Sequence, residues 1–302
     1  MANNIKLVRN YNLNIAGYNI RFDSGEDGPD LEPSIKFLRN ICDDTRPDIL
    51  IRVHSGNFTL PEDADRVFHA PFVEEINGIP VHHKANFWSI WKSEKELFIK
   101  SVFPLCPDDR KAVMQFALEK KEWDLWIDCA DKAVDPLEYP LDGLILYYLT
   151  VINGDIMIHA SGVKYNGKGF LFSGVSGKGK TTIARLWESS GAKVIHDDRL
   201  IIRNTDSGYT IYNTPVYNND VPDESPLSKL YIIDHGTSDS IVPIKGAVAA
   251  SLVMSNCIQH NWGHEIITKL LGSVSSMCET VPVFKLHFVP EKSVVNFILQ
   301  NG

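Results

Sequence analysis

The sequence predicts an α/β protein in two parts, an α+β N-terminal domain over residues 1–133 and a C-terminal domain over 134–302 organised around a phosphate loop. Three observations predict this. Apolar and polar residues alternate in short runs through the first half, as in half-buried strands. Helical and strand-like segments interleave in the second half. The segment GVSGKGKTT at 174–182 satisfies GxxxxGK[ST] between an apolar run and an amphipathic one.

With 302 residues, of which 44% are apolar, the chain has material for two cores. Its 30 Lys and Arg against 38 Asp and Glu leave a net charge of −8, which argues against bulk nucleic acid or an anionic membrane surface as partner. The cysteines Cys42, Cys106, Cys129, Cys257 and Cys278 are widely spaced and form no CxxC pair. The opening MANNIKLVRN has no basic segment followed by an apolar one, and the uncharged stretch 143–154 falls short of the roughly 20 residues that span a bilayer. A cytoplasmic protein is the expectation.

In order along the chain, alternation in NLNIAGYNIRF predicts strands that end at the Gly-rich acidic run SGEDGPD. A helix is expected over 33–42 and a strand at DILIRV, 48–53. The runs NFWSIW, ELFIKSVF, AVMQFALE and WDLWIDC read as an antiparallel meander, which assigns Trp88, Trp91, Trp123 and Trp126 to packing. ADKAVDPLEYP is a candidate joint, and LDGLILYYLTVI has the length of a buried helix. Beyond it, strands are expected at IMIHASGV, FLF, KVIH, LIIRN, GYTIYN, KLYIID and VFKLHFV. Helices are expected at 180–190, 244–257, 262–271 and 292–299.

Each residue type in the phosphate loop has a separate job. Gly174, Gly177 and Gly179 let the backbone turn tightly and bring N–H groups, with those of Ser176 and Lys178, around phosphate oxygens. The following helix start adds free donors and partial positive charge. Lys180 reaches the β- and γ-phosphates, the Thr181 hydroxyl helps hold a metal ion, and Thr182 supports the helix. ATP with Mg2+ is the ligand this pattern calls for.

A second signal is IHDDR at 195–199, immediately after the strand candidate KVIH, where a strand end would let two adjacent carboxylates meet the phosphate loop from the side; a solvated turn between strands is the other reading. Of Asp197 and Asp198, one can hold magnesium and the other orient or deprotonate a hydroxyl; adjacency does not assign the roles. His159, one strand before the loop, can hydrogen-bond a carboxylate or approach the metal.

Taken together, MIHASGV at 157–163, GVSGKGKTT at 174–182 and VIHDDR at 194–199 resemble the catalytic half of HPr kinase/phosphorylase and, more distantly, phosphoenolpyruvate carboxykinase. The resemblance implies a phosphoenolpyruvate-carboxykinase-like P-loop catalytic domain and an ATP-dependent phosphotransferase acting on a hydroxyl of a peptide, protein or small metabolite. It implies that His159 interacts with the catalytic acid, that Asp197 activates the acceptor and that Asp198 joins Thr181 at magnesium. In the carboxykinase pattern the residue matching His159 belongs to a transition-metal site. A carboxykinase-like enzyme and a nucleotide-responsive regulator without catalysis are the competing readings. Residues 1–130 do not resemble the N-terminal domain of HPr kinase, and the family's C-terminal glycine- and arginine-containing signature has no strong counterpart.

Other polar residues are weaker candidates. Arg199 suits a transferred phosphate or an ion pair, and Arg185 the nucleotide or solvent. Cys257, His260 and His264 have the spacing of one helical face, but Trp262 and Gly263 interrupt it and no fourth metal ligand accompanies them, so packing, capping or surface positions are the expectation over a metal site; the adjacent His82 and His83 splay apart. The Pro-rich acidic segment 214–226 is either a cover over the acceptor or a plain connection. The first half is assigned to acceptor or partner recognition, with scaffolding and a homo-oligomer interface as its other uses.

Overall fold

The computed structural model describes residues 7–44, 46–70, 75–76, 79–80, 87–104, 110–129, 133–260 and 262–302. It is a mixed α/β protein whose chain forms two compact units, Met1–Leu149 with His260–Trp262, and Thr150–Gln259 with Gly263–Gly302. His82, His83 and Cys106 lie outside the described residues.

The first unit is built on a nine-stranded sheet. Its strands are β1 (Asn10–Ile15), β2 (Tyr18–Asp23), β3 (Ile41–Cys42), β4 (Ile49–Ser55), β5 (Asp65–His69), β8 (Trp88–Lys92), β9 (Leu97–Val102), β10 (Lys111–Phe116) and β11 (Glu122–Ile127). Between β5 and β8 the short strands β6 (Glu75–Ile76) and β7 (Ile79–Pro80) pair with each other. The sheet order is β3-β1-β2-β4-β11-β10-β9-β8-β5. The expected meander is present, since β8, β9, β10 and β11 are successive antiparallel neighbours. Period-two burial in β2 and β11 shows why: one face of each strand is covered and the other faces outward. Of the four tryptophans assigned to packing, Trp123 is buried outright and Trp88, Trp91 and Trp126 are half-buried. The helix expected over 33–42 is a 3-10 helix, Ile35–Asn40, which runs directly into β3.

Helix α1 (Leu141–Asn153) carries the chain from one unit into the other. The second unit holds β12 (Ile156–Tyr165), β13 (Lys168–Ser173), α2 (Lys180–Glu188), β14 (Lys193–Thr205), β15 (Gly208–Asn213), β16 (Glu224–His235), β17 (Ser240–Ile244), α3 (Gly246–Met254), α4 (His264–Thr280), β18 (Val283–Phe288) and α5 (Ser293–Asn301). Its seven-stranded sheet has the order β13-β12-β14-β15-β16-β18-β17, and a further parallel pairing of β13 with β16 closes five strands into a ring. Strand alternation sorts the apolar residues into two cores. Phe170, Phe172, Tyr231 and Ile233 meet α2 and α5 through Trp187 and Val294. Leu171, Leu230 and Ile232 meet α3 and α4 through Val253 and Val274. Helices therefore cover both faces of the sheet around β13 and β16.

One expectation needs correction here. KVIH and LIIRN are one strand, β14, which passes through Asp197 and Asp198 without a turn. The polar residues do not break it because β12 pairs with it along the whole stretch, with Ser161 opposite Asp197 and Ala160 opposite Asp198. Cys257 and His264 share no helix, in keeping with packing or capping positions rather than a metal site: Cys257 follows α3 and bridges Ile158, whereas His264 opens α4. Among the described residues no group of three or more His, Cys, Asp or Glu is arranged to hold a metal ion, and no helix is long and apolar enough to cross a membrane.

Candidate functional site

The segment 174–182 lies between β13 and α2, and two of its three glycines have a positive φ. Gly177 and Gly179 have φ of +82° and +91°, a region disfavoured for residues with a Cβ. Gly174 is buried against the neighbouring strand, where a Cβ would stand 2.9 Å from the carbonyl oxygen of Ile233. The α2 N-cap is Gly179, with no side-chain cap, so the first-turn N–H groups stay available to a ligand. Ser176, Thr181 and Thr182 are exposed around this turn.

Lys180 folds back over the loop, its Nζ donating to the carbonyl oxygen of Gly174 at 2.8 Å and of Val175 at 3.4 Å. Burial lowers its pKa, while the charges of Asp197 and Asp198 act in the opposite direction. Both acids therefore bear on Lys180 through their charges. They take different partners. The Ser161 hydroxyl donates to Asp197 Oδ1. His159 Nδ1 lies 3.0 Å from Asp198 Oδ1. In each carboxylate Oδ1 is the engaged atom. Burial pushes the Asp198 carboxyl up, but the hydrogen bond and charge of His159, with the charges of Arg199 and His196, hold it below the usual carboxylate range.

Strand pairing explains this meeting of residues distant in sequence. β12 lies between β13 and β14, with Ala160 opposite Ser173 on one side and Asp198 on the other. The Ser173 hydroxyl, at the last position before the loop, donates to the carbonyl oxygen of His159 at 3.0 Å. His159, the acid pair and the phosphate loop are thereby joined through one sheet. Arg199 is on β14 as well, its Nε donating to the Thr214 hydroxyl at 3.2 Å. Arg185 is exposed on α2.

Several side chains near these residues carry no motif of their own, among them some in the segment 214–226, expected as a cover over the acceptor or a plain connection. The connection 214–223 folds onto β14: Asp220 Oδ2 accepts the N–H groups of Val216 and Tyr217 and lies 3.2 Å from His196 Nε2. The Tyr217 ring stacks on His196, with centroids 5.7 Å apart. Burial raises the pKa of its phenol, and the charges of Asp198, Asp197 and Asp220 add to the effect. Ser161 was legible in principle, since it lies two residues after His159 and thus on the same strand face. At the opposite end of β18 from Phe288, which abuts Gly179, a cavity of about 760 Å³ is lined by Ile244, Lys245, Ala250, Cys278, Glu279 and Val283. None of the sequence-predicted site residues lines it.

Residues 131–290 match the family model described as SynChlorMet cassette protein ScmC, a match over just more than half of the chain. Among curated proteins none matches it.

Proposed function

The chain belongs to the family described as SynChlorMet cassette protein ScmC, and we propose that its second unit is a phosphoenolpyruvate-carboxykinase-like, HPr-kinase-like P-loop domain that transfers the γ-phosphoryl group of ATP to a hydroxyl of a peptide, protein or small metabolite. The observation that carries this reading is that β12 pairs on one side with the strand leading into the loop of Lys180 and on the other with the strand of two carboxylates, each restrained by its own partner on β12. A phosphate-binding turn alone supports binding; acids beside it support transfer.

Backbone N–H groups of 174–182 and the start of α2 receive the β- and γ-phosphates, and Lys180 exchanges its carbonyl partners for phosphate oxygens. The Thr181 hydroxyl and the ionised Asp198 carboxylate are hard oxygen donors suited to Mg2+, which keeps water and phosphate oxygens in its shell and needs no all-protein cage. A magnesium ion held by Thr181 and Asp198 would supply positive charge against that developing on the phosphates. Asp197 accepts the acceptor's hydroxyl proton as that oxygen bonds to the γ-phosphorus and the bond to the β–γ bridging oxygen breaks, releasing ADP. His159 orients Asp198, and Ser161 orients Asp197.

Titration of the full chain with ATP tests the first requirement. Saturable, magnesium-dependent binding that Lys180→Ala abolishes is the expected result; equal affinity in the variant overturns the site. Labelled ATP presented with pools of peptides and hydroxyl metabolites tests transfer. A labelled product missing from the Lys180→Ala reaction identifies the acceptor class.

A further inference from the structure

Two side chains from outside the phosphate-binding motif hold the loop. β16 runs parallel to β13 and pairs with it as far as Ser173↔Ile232, so the residues that follow emerge beside the loop. Asp234, two positions beyond Ile232, closes the apolar run LYIID. Its Oδ1 lies 2.8 Å from Lys178 Nζ and accepts the N–H of His235 at 2.8 Å. His235 Nε2 in turn lies 3.0 Å from the carbonyl oxygen of Gly177, to which it donates, and its Cε1 would stand 3.5 Å from a Cβ on Gly179.

These contacts act on the part of the loop with the least freedom to spare. The Lys178 N–H donates to the Val175 carbonyl oxygen at 3.3 Å across a turn in which Gly177 has its positive φ. His235 engages the Gly177 carbonyl oxygen from outside the motif, and a carbonyl held by such a partner is fixed in direction, as N–H groups lining an anion-binding concavity require of the backbone between them. The two lysines of the loop are also separated in role. Lys178 is committed to a carboxylate, whereas Lys180 rests on neutral carbonyl oxygens that a phosphate can displace.

We propose that Asp234 and His235 are positioning residues that brace the phosphate loop from the neighbouring parallel strand, keeping it in the shape that receives nucleotide phosphates. The inference rests on the reading of this loop as a nucleotide-phosphate site. The brace lowers the ordering cost of binding, so its loss weakens affinity without removing any group that touches the phosphates. Asp234 is half-buried and His235 exposed at the end of a strand, so substitution there leaves both cores intact.

The test is calorimetric titration of the full chain with Mg·ADP and Mg·ATP, alongside amide hydrogen exchange of residues 174–182. Asp234→Asn and His235→Ala should each weaken binding about tenfold, the scale of one lost charge-assisted or loop-ordering hydrogen bond, and both should speed exchange in the loop. Asp234→Glu and His235→Gln, which keep the acceptor and the donor, should return affinity to within about threefold of wild type. Adding Lys178→Gln to Asp234→Asn should cost nothing further, because the two residues act as a pair. Wild-type affinity and exchange in both Asp234→Asn and His235→Ala overturn the brace. Failure of the wild type to bind either nucleotide overturns the phosphate-site reading instead, and the exchange rates then decide the brace.

Discussion

His159 Nδ1 stands 3.0 Å from Asp198 Oδ1, a contact made across neighbouring antiparallel strands. It sets the charge of the carboxylate assigned to magnesium. A carboxyl whose folded pKa lies below its unfolded value contributes stability above the unfolded pKa and loses it as the pH falls through the folded one. Removing His159 leaves the burial that raises the Asp198 pKa and takes away the hydrogen bond that opposes it. His159→Ala should therefore move the Asp198 titration upward, read from its side-chain carboxyl carbon by NMR. An unmoved titration would mean that His159 does not set this pKa.

The two acids should separate in their kinetics. Asp197→Asn should lower the transfer rate by about 10²- to 10⁴-fold, the usual span for a general base, with ATP affinity little changed. Asp198→Asn should instead raise the magnesium concentration needed for half-maximal binding. If Asp198→Asn stops turnover at unaltered magnesium dependence, the two roles are exchanged.

Gly179 and Gly191 provide a matched pair. Both have a positive φ, +91° and +92°, but a Cβ on Gly179 would meet Phe288 Cζ at 3.0 Å, whereas one on Gly191 would meet nothing within 4 Å. Each alanine should cost about 1–2 kcal/mol for the left-handed backbone. Only Gly179→Ala should also displace the fully buried Phe288 and weaken nucleotide binding, as thermal melts and titrations of the two variants will show.

Acid should destabilise the first unit through His260. Buried among Tyr147, Trp88 and Tyr148, this imidazole has its pKa pulled down to about 3 by desolvation. The unfolded chain takes up a proton near the ordinary histidine value and the folded one does not, so stability is full above that value and falls as the pH drops toward the folded pKa. Between pH 7 and pH 5 the loss amounts to about 2 kcal/mol. Urea denaturation at the two pH values should show it, and His260→Phe should shrink the difference; a difference unchanged in the variant would reject His260 as its source.

Local signals carried much of this architecture. The meander β8 to β11 was legible because strands buried on one face alternate with period two. The loop before α2 was legible because glycine spacing and a following amphipathic run are both written in adjacent residues. Where the sequence misled, a neighbouring element had overruled the local pattern. β17 contains Pro243 and looks unlike a strand, yet it lies at the edge of its sheet, where a missing N–H does no harm. The second half of α4, through Gly272 and several serines, has weak helical propensity; Leu270, Val274 and Met277 hold it by burying one face.

The same division runs through the candidate site. By itself the sequence determined which chemical groups are present and in what order: a glycine-rich turn with Lys180 and Thr181, an adjacent acid pair, and His159 one strand earlier. Only the tertiary structure decided who meets whom. Strand register put Ser161 opposite Asp197 and His159 opposite Arg199, one position from the Asp198 that its ring reaches, kept β14 unbroken through both acids, and brought Asp234 and His235 to the loop across the β13–β16 pairing. The physical reason is that a residue's conformation answers to its near neighbours in the chain, whereas its partner in a sheet is chosen by hydrogen-bond register and by which faces can be buried together.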